Sequence, residues 1–325
     1  MYQPGAIVME DLGKDSLAVH GYRHWPHFCK PSDLEKASKQ AWDFYRMATS
    51  EGIFYDKEEA LEIGLIREHD GQLIRIWGEP GYSGPKFNLR YEDNIMYDEF
   101  NWFFDSHTYQ KLTEYIEKFT GPNLDMCMAR LIITLPVKLF PDYVRGLYLP
   151  MESVSRGSLI PLIKEKFRRG FFFAHNPWHQ DTVDYPESDN LSYTTLLSLT
   201  HRSGEQAPLL FCPESSVLGE VPFPLDYRIE GETMLYRNDK GNFKLVVDRA
   251  NLEPGDLFAW HAYNFHEVQP CFAEDPAMAL RFNFAPSLCN NGIRDKRNIR
   301  EAGRSLLSRF TALGGKNIDH IRENI

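Results

Sequence analysis

No two cysteines in this chain are spaced as Cys-x-x-Cys. The five present, at positions 29, 127, 212, 271 and 289, are odd in number and irregularly placed, which argues against a disulfide framework and against a structural zinc site. Buried, reduced thiols in a reducing cytoplasmic compartment are the expectation. Long apolar runs are missing too. None approaches the ~20 residues that a membrane-spanning helix needs, so no membrane association is expected. The start, MYQPGAIVMEDLGKD, has neither a basic segment leading into an apolar one nor an Arg/Ser-rich amphipathic presequence. The closing RENI is not a simple retention or peroxisomal signal. Positive charge is scarce, with 36 Lys and Arg against 46 Asp and Glu and a net charge of −10. No basic cluster is interleaved with aromatics, so a polyanion would be repelled and no nucleic-acid partner is expected. Repeats, low-complexity tracts and Ser/Gly linkers are absent as well, which favours one domain over residues 1–325.

What the chain does have is a 42% hydrophobic fraction over 325 residues, enough to fill a sizeable core. In PSDLEKASKQAWDFYRMATSEG, Leu34, Ala37, Ala41, Phe44, Tyr45 and Ala48 recur at helical spacing, Ser32 and Glu35 have the spacing of a capping box, and Gly52 is a stop. SHTYQKLTEYIEKF repeats the pattern with Tyr109, Leu112, Tyr115, Ile116 and Phe119, closed by Gly121-Pro122. Ile299, Ala302, Leu306, Phe310 and Leu313 do so again before Gly314-Gly315. Between these, β-branched and aromatic runs dominate: ARLIITL, FFFA, SYTTLLSL, PLLF, ETMLY, FKLVV, DLFAW and AMALRFNF, punctuated by Gly, Pro, Asn and Asp. The expectation is a mixed α/β (α+β) fold with a helical N-terminal part over about 1–124, a β-rich core over about 125–285 and a helical segment over about 295–325. Short strands with turn signals suggest a sandwich or jelly roll whose outer sheet face is covered by the helices.

Among 11 histidines, only His179 is followed two residues later by a carboxylate, Asp181, in NPWHQDTVD. In extended chain, residues i and i+2 point to one side, so the pair can present a nitrogen and an oxygen to one point. A third ligand could come from EPGDLFAWHAYNFHEVQP, where His261 and His266 follow a strand-like run. Two imidazoles and one carboxylate on a face of octahedral iron leave three positions open, as in the facial triad of non-haem Fe(II) oxygenases. In AMALRFNF, alternation puts Ala277, Ala279, Arg281 and Asn283 on one face and Met278, Leu280, Phe282 and Phe284 on the other. The apolar face calls for a helix layer. The other, an arginine among alanines, suits a small dicarboxylate, because a guanidinium grips a carboxylate with two parallel bonds.

These stretches resemble the phytanoyl-CoA dioxygenase-like branch of the Fe(II)/2-oxoglutarate-dependent dioxygenases. WHQD at Trp178 to Asp181 is similar to the start of the metal site, GEQAPLLFCPESS at Gly204 to Ser216 resembles the G-P-L…PGSH stretch, and GDLFAWHAYNFHEV resembles the segment with the distal histidine. The likeness spans about 171 to 285, roughly a third of the chain. It departs at Pro213-Glu214-Ser215-Ser216, which lacks the glycine and histidine of that stretch, and at Arg281, which lies 281 − 266 = 15 residues past the distal histidine, a few more than the branch pattern has.

The resemblance implies a double-stranded β-helix (jelly roll) core with flanking helices, His179, Asp181 and His266 as catalytic metal ligands, and Fe(II), 2-oxoglutarate and O2 as cofactor and co-substrates. It implies Arg281 on the distal carboxylate of 2-oxoglutarate; strand alternation adds Asn283 and Thr194 (or Ser198) as groups that could hydrogen-bond this co-substrate. The implied reaction removes hydrogen from an unactivated C–H of a small molecule, giving hydroxylation, desaturation or ring closure with release of succinate and CO2, in natural-product or amino-acid-derivative metabolism. Halogenases of this kind have a small residue in place of the carboxylate, so Asp181 argues against halogenation. Aromatic and histidine side chains near the motif, Trp178, Tyr185, His175, His261 and Tyr263, are the nearest residues for a substrate. HWPH at His24 to His27 reads as a surface turn around a partly buried Trp25. Two other readings remain open: a metal-dependent jelly-roll enzyme that does not use 2-oxoglutarate, and a catalytically silent β-sandwich binding module.

Overall fold

The strand AMALRFNFAP, β14 (Ala277–Pro286), lies at the heart of a six-stranded sheet. It pairs antiparallel with β6 (Tyr193–Ser198) on one side and β4 (Leu124–Thr134) on the other. Beyond β6 come β12 (Leu257–His261) and β1 (Tyr22–Trp25), and beyond β4 comes β5 (Phe171–Phe172), the one parallel neighbour, giving the order β1-β12-β6-β14-β4-β5. The computed structural model describes residues 17, 20–75, 94–120, 124–150, 157–174, 178–181, 192–221 and 225–286. The helical pattern expected over 295–325, together with Cys289, His175, Tyr185 and the Gly121-Pro122 stop, lies outside them.

The period-two pattern of β14 governs both sides of this sheet. Met278, Leu280, Phe282 and Phe284 join Leu131, Ile133, Leu197 and Ala259 in the main apolar core. Two helices close that core. Helix α1 (Pro31–Glu51) contributes Phe44 together with Ala37, Ala41 and Ala48, small residues one or two turns apart that let it lie close to its neighbours. After the short α2 (Lys57–Glu62), helix α3 (His107–Thr120) adds Leu112, Ile116 and Phe119. Phe282 stacks on Phe103 at 5.7 Å and meets Tyr109 at 5.5 Å. A close approach also explains Gly170, where a Cβ would stand 2.6 Å from the Phe44 ring.

The capping box expected at Ser32 and Glu35 does not form. Pro31 opens α1, placing Ser32 inside the first turn, and the N-cap is Lys30 with no side-chain cap bond. A tertiary contact takes over: Thr108 Oγ1 accepts from the Lys30 N–H at 3.0 Å and donates to Asp33 Oδ2 at 2.7 Å. Gly52 ends the helix at φ 77°, as expected. Nor is the N-terminal part purely helical. It supplies β1 to the edge of the large sheet and a β2 (Ile66–His69) and β3 (Gln72–Arg75) pair, and HWPH runs from the end of β1 into a turn.

On the other face of the sheet, Leu196, Phe258, Trp260 and Ala279 share an apolar cluster with Leu209, Phe211 and Ala250. The last three belong to a second antiparallel sheet ordered β11-β7-β13, made of β11 (Asp248–Ala250), β7 (Leu209–Phe211) and β13 (His266–Val268). A third sheet, β10-β9-β8, comprises β8 (Asp226–Glu230), β9 (Thr233–Asn238) and β10 (Gly241–Val246). Its Met234 and Tyr236 cluster with Trp178, Cys212 and Phe265. The short helix α4 (Asp142–Tyr148) completes the named elements. The architecture is thus mixed α/β, with helices on one face of a large sheet and a smaller sheet over the other. Among the described residues no helix is long and apolar enough to cross a membrane.

Candidate metal centre

Two backbone hydrogen bonds build the site. His179 N–H donates to the His266 carbonyl and His266 N–H donates to the His179 carbonyl, each at 3.1 Å. This antiparallel bridge sets the imidazoles side by side, with ring centroids 4.2 Å apart. Two residues on, Asp181 N–H donates to the Ala262 carbonyl at 2.8 Å, which keeps the segment extended and returns Asp181 to the side of His179. The residues between face away. Gln180 donates to the Gly219 and Tyr263 carbonyls at 2.7 and 2.8 Å and accepts from Val221 N–H at 2.9 Å, so one buried amide ties the motif to both adjoining loops. Trp178 packs into the cluster beneath the third sheet.

The three side chains converge. His266 Nε2 lies 3.4 Å and His179 Nε2 3.7 Å from Asp181 Oδ1, and one donor atom from each residue lies within 4.8 Å of the others. Neighbouring ligands of a first-row cation with bonds of about 2.1 Å stand about 3 Å apart, so small side-chain adjustments would let the set grip one ion. His266 Nδ1–H donates to the Asn264 carbonyl at 3.0 Å, which turns Nε2, the nitrogen that would bind a metal, towards the centre. His261 is turned elsewhere: its Nδ1 accepts from Tyr263 N–H at 3.0 Å and its ring meets Tyr193 edge-on. Of the two histidines left open by spacing, His266 therefore joins the cluster.

Asp181 is buried and its two oxygens are treated differently. Oδ2 accepts from Thr194 Oγ1 at 2.7 Å and from Trp260 Nε1 at 3.2 Å, whereas Oδ1 faces both histidines and accepts from Arg281 Nη2 at 2.8 Å. Burial by itself would raise the carboxyl pKa, but the Arg281 charge, followed by the two histidines beside it, holds it well below the usual carboxylate range. A carboxylate must be deprotonated to bind a metal, and this one is kept so. With Oδ2 saturated, Oδ1 is the oxygen left to coordinate.

Arg281, Asn283 and Thr194 are also brought together. Arg281 Nε donates to Asn283 Oδ1 at 3.0 Å, and Asn283 is the cross-strand partner of Thr194. Thr194 thus acts on Asp181, a role not anticipated from its sequence position, and the guanidinium of Arg281 stands at the Asp181 carboxylate itself. Ser198, the other hydroxyl considered, donates to the Thr200 carbonyl at 2.6 Å. Sequence reasoning missed Trp260. The signal was there in the alternation of DLFAW, but only the β12 to β6 register, Trp260 opposite Thr194, reveals that both face Asp181.

Two imidazole nitrogens and one carboxylate oxygen, clustered on one side with a polar surround, are the donor set that borderline cations such as Fe(II) take while keeping open positions. No protein-family model matches the chain, and no curated protein matches it. Among solved structures, the non-haem α-ketoglutarate-dependent carbocyclase SnoK from nogalamycin biosynthesis aligns at 14% identity and TM-score 0.46, over 90% of this chain and 91% of that one. EvdO2 from Micromonospora carbonacea var. aurantiaca, complexed with 2-oxoglutarate, aligns at 15% identity and TM-score 0.45, over 90% and 96%. EctD from S. alaskensis aligns at 9% identity and TM-score 0.44, over 88% and 80%. Similarity this low does not transfer chemistry, which here rests on the residues above.

Proposed function

We propose that the chain is an Fe(II)/2-oxoglutarate-dependent oxygenase, a single catalytic domain on a double-stranded β-helix acting on a small-molecule substrate. The observation that carries this reading is the buried His179, Asp181, His266 cluster, with its carboxylate held charged and one oxygen left to coordinate. His179 Nε2, His266 Nε2 and Asp181 Oδ1 would hold the iron. When bound, iron with 2-oxoglutarate and O2 supplies the oxidising power to take a hydrogen atom from an unactivated C–H, with release of succinate and CO2.

The chain's own residues have narrower tasks. Thr194 and Trp260 fix the Asp181 carboxylate so that only Oδ1 is offered, and the Asn264 carbonyl fixes the His266 tautomer. Arg281, steadied by Asn283, keeps Asp181 ionised and places a cation beside the position of any carboxylate bound there. The apolar layer of Leu196, Phe211 and Phe258 keeps water out. Asp181 fills the position that a halide would require, so hydroxylation is the default outcome, with desaturation and ring closure open to the same chemistry. The buried free thiols Cys29, Cys212 and Cys271 are in keeping with a reducing cytoplasm.

The test is succinate formation from 2-oxoglutarate by Fe(II)-loaded protein in air, with a pooled metabolite library and His179→Ala as control. Turnover that requires His179 and rises with one library fraction is the expected result. A second reading has one observation in its favour: Arg281 is engaged with Asp181, as it would be in a metal enzyme that binds a chelating substrate directly. One metal per chain without any response to 2-oxoglutarate would establish that alternative.

A further inference from the structure

Arg202 is the one fully buried cation among the described residues, with 1% of its surface exposed. Its partners do not match its donors. Nη1 donates to the Ala207 carbonyl at 2.6 Å, while Nε and Nη2 are buried without a hydrogen-bond partner. The ionisable group described within its electrostatic reach is the Cys271 thiol, which opposes the downward push of burial; the guanidinium comes down to about 10 and so stays protonated at neutral pH. A buried charge with two orphaned, adjacent donors is costly unless an anion completes it, and Nε with Nη2 is one of the edges on which a guanidinium receives a carboxylate.

The backbone shows where this cation sits. Arg202 follows β6 and is clamped by Leu252, accepting the Leu252 N–H at 3.0 Å and donating its own at 2.8 Å. Two residues earlier, Thr200 Oγ1 accepts from Met278 N–H at 2.9 Å. Ala207, the acceptor of Nη1, clusters with Cys271 and Ala277. Arg202 therefore lies by the Ala277 end of β14. Ala277, Ala279 and Arg281 share one face of that strand, and in mid-strand Arg281 bonds Asp181. From Ala277 to Arg281 is about 13 Å of strand, which two inward-reaching guanidinium arms shorten towards the span of a short diacid. On that face of β14 the one residue between is Ala279, which packs with Leu196, Phe211 and Phe258.

We propose that Arg202 holds the far carboxylate of a short dicarboxylate whose other end lies at the His179, Asp181, His266 centre, while Arg281 stays with the carboxylates at the metal. The proposal rests on the functional reading above, under which that diacid is 2-oxoglutarate, and it moves the distal anchor from the residue the motif pointed to. Arg281, bonded to the ligand carboxylate, is at the wrong end of the diacid for that task. Arg202 has unmet donors, burial and a fixed position at the right end.

The test uses Co(II)-loaded full-length protein and two acids: 2-oxoglutarate, and 2-oxobutyrate, which keeps the oxo-acid end and lacks the second carboxylate. Calorimetry should show wild type preferring 2-oxoglutarate by about ten- to a hundredfold, the worth of one buried charge-assisted pair, and Arg202→Gln binding both acids alike with its Co(II) retained. If Arg202→Gln fails to fold, wild type still decides. In its arginine Nε–H nitrogen–proton spectrum, the Arg202 signal, assigned by its loss in Arg202→Lys, should move on saturation with 2-oxoglutarate and not with 2-oxobutyrate. An unmoved signal, or a preference kept in Arg202→Gln, overturns the proposal and assigns the orphaned donors to buried water. Wild type that binds Co(II) but neither acid overturns the 2-oxoglutarate reading itself, and the proposal falls with it.

Discussion

The two faces of the large sheet are both largely buried and chemically opposite. Towards the helices, β14 presents Met278, Leu280, Phe282 and Phe284; towards the second sheet, the same ten residues present Ala277, Ala279, Arg281 and Asn283. Apolar burial is non-directional, so the helix side needs only volume and shape. The sheet side carries a carboxylate, a guanidinium, an amide, a hydroxyl and an indole N–H, and tolerates them because they are joined bond by bond through Asp181. One face holds the molecule together. The other spends part of that stability on keeping a charged carboxylate in place.

This division can be broken by crossing two substitutions. Phe282→Ala removes a ring that stacks on Phe103 and meets Tyr109, and should lower the unfolding free energy by about 3–5 kcal/mol. His266→Ala should cost far less in the metal-free protein yet abolish stoichiometric Co(II) binding, because one of three ligands is gone. Urea unfolding and metal analysis of both variants check this. Metal loss in folded Phe282→Ala, or metal retention in His266→Ala, would show that the faces are not separable in this way.

How much of this was legible in the sequence follows from the same division. The period-two pattern of AMALRFNF assigned each β14 residue to its face, and the alanine and aromatic spacing of α1 and α3 gave the helix layer, because burial against a continuous surface leaves a periodic trace. His179 and Asp181 stood out through spacing in one extended segment. What could not be read depended on distant partners. β1 and β8, YRHW and DYRIE, are too short and polar to announce themselves as strands. The start of α1 was set by Pro31 and by Thr108 from another helix. Trp260 reaches Asp181 only through the β12 to β6 register. Nothing local in HRSGEQ says that its arginine is buried.

A smaller effect sharpens the comparison at Arg281. Replacing it with Met keeps much of the apolar stem and removes the charge that holds Asp181 ionised. Breaking a buried ion pair while leaving one partner is destabilising by about 3–5 kcal/mol, and the partial exposure of Arg281 puts the expectation at the lower end. A bound divalent cation neutralises the same carboxylate. Metal-free Arg281→Met should therefore unfold well below wild type, and Co(II) should close much of the gap. Equal losses with and without Co(II) would mean that Arg281 acts through packing.

The smallest expected effects concern Asp181 Oδ2. Thr194→Val keeps the shape and deletes the 2.7 Å donor; Trp260→Phe keeps an aromatic ring and deletes the 3.2 Å donor. Outer partners of metal ligands are worth about ten- to a hundredfold in metal affinity. The shorter bond should matter more, so competition with a chelator should rank Co(II) affinity as wild type, then Trp260→Phe, then Thr194→Val. Neither substitution touches the helix-facing core, so unfolding midpoints should move far less than in Phe282→Ala. The reverse affinity order would make the indole N–H the main restraint on the carboxylate. No change in either variant would mean that the two histidines and Arg281 alone orient it, leaving the sheet-side network with a purely structural role.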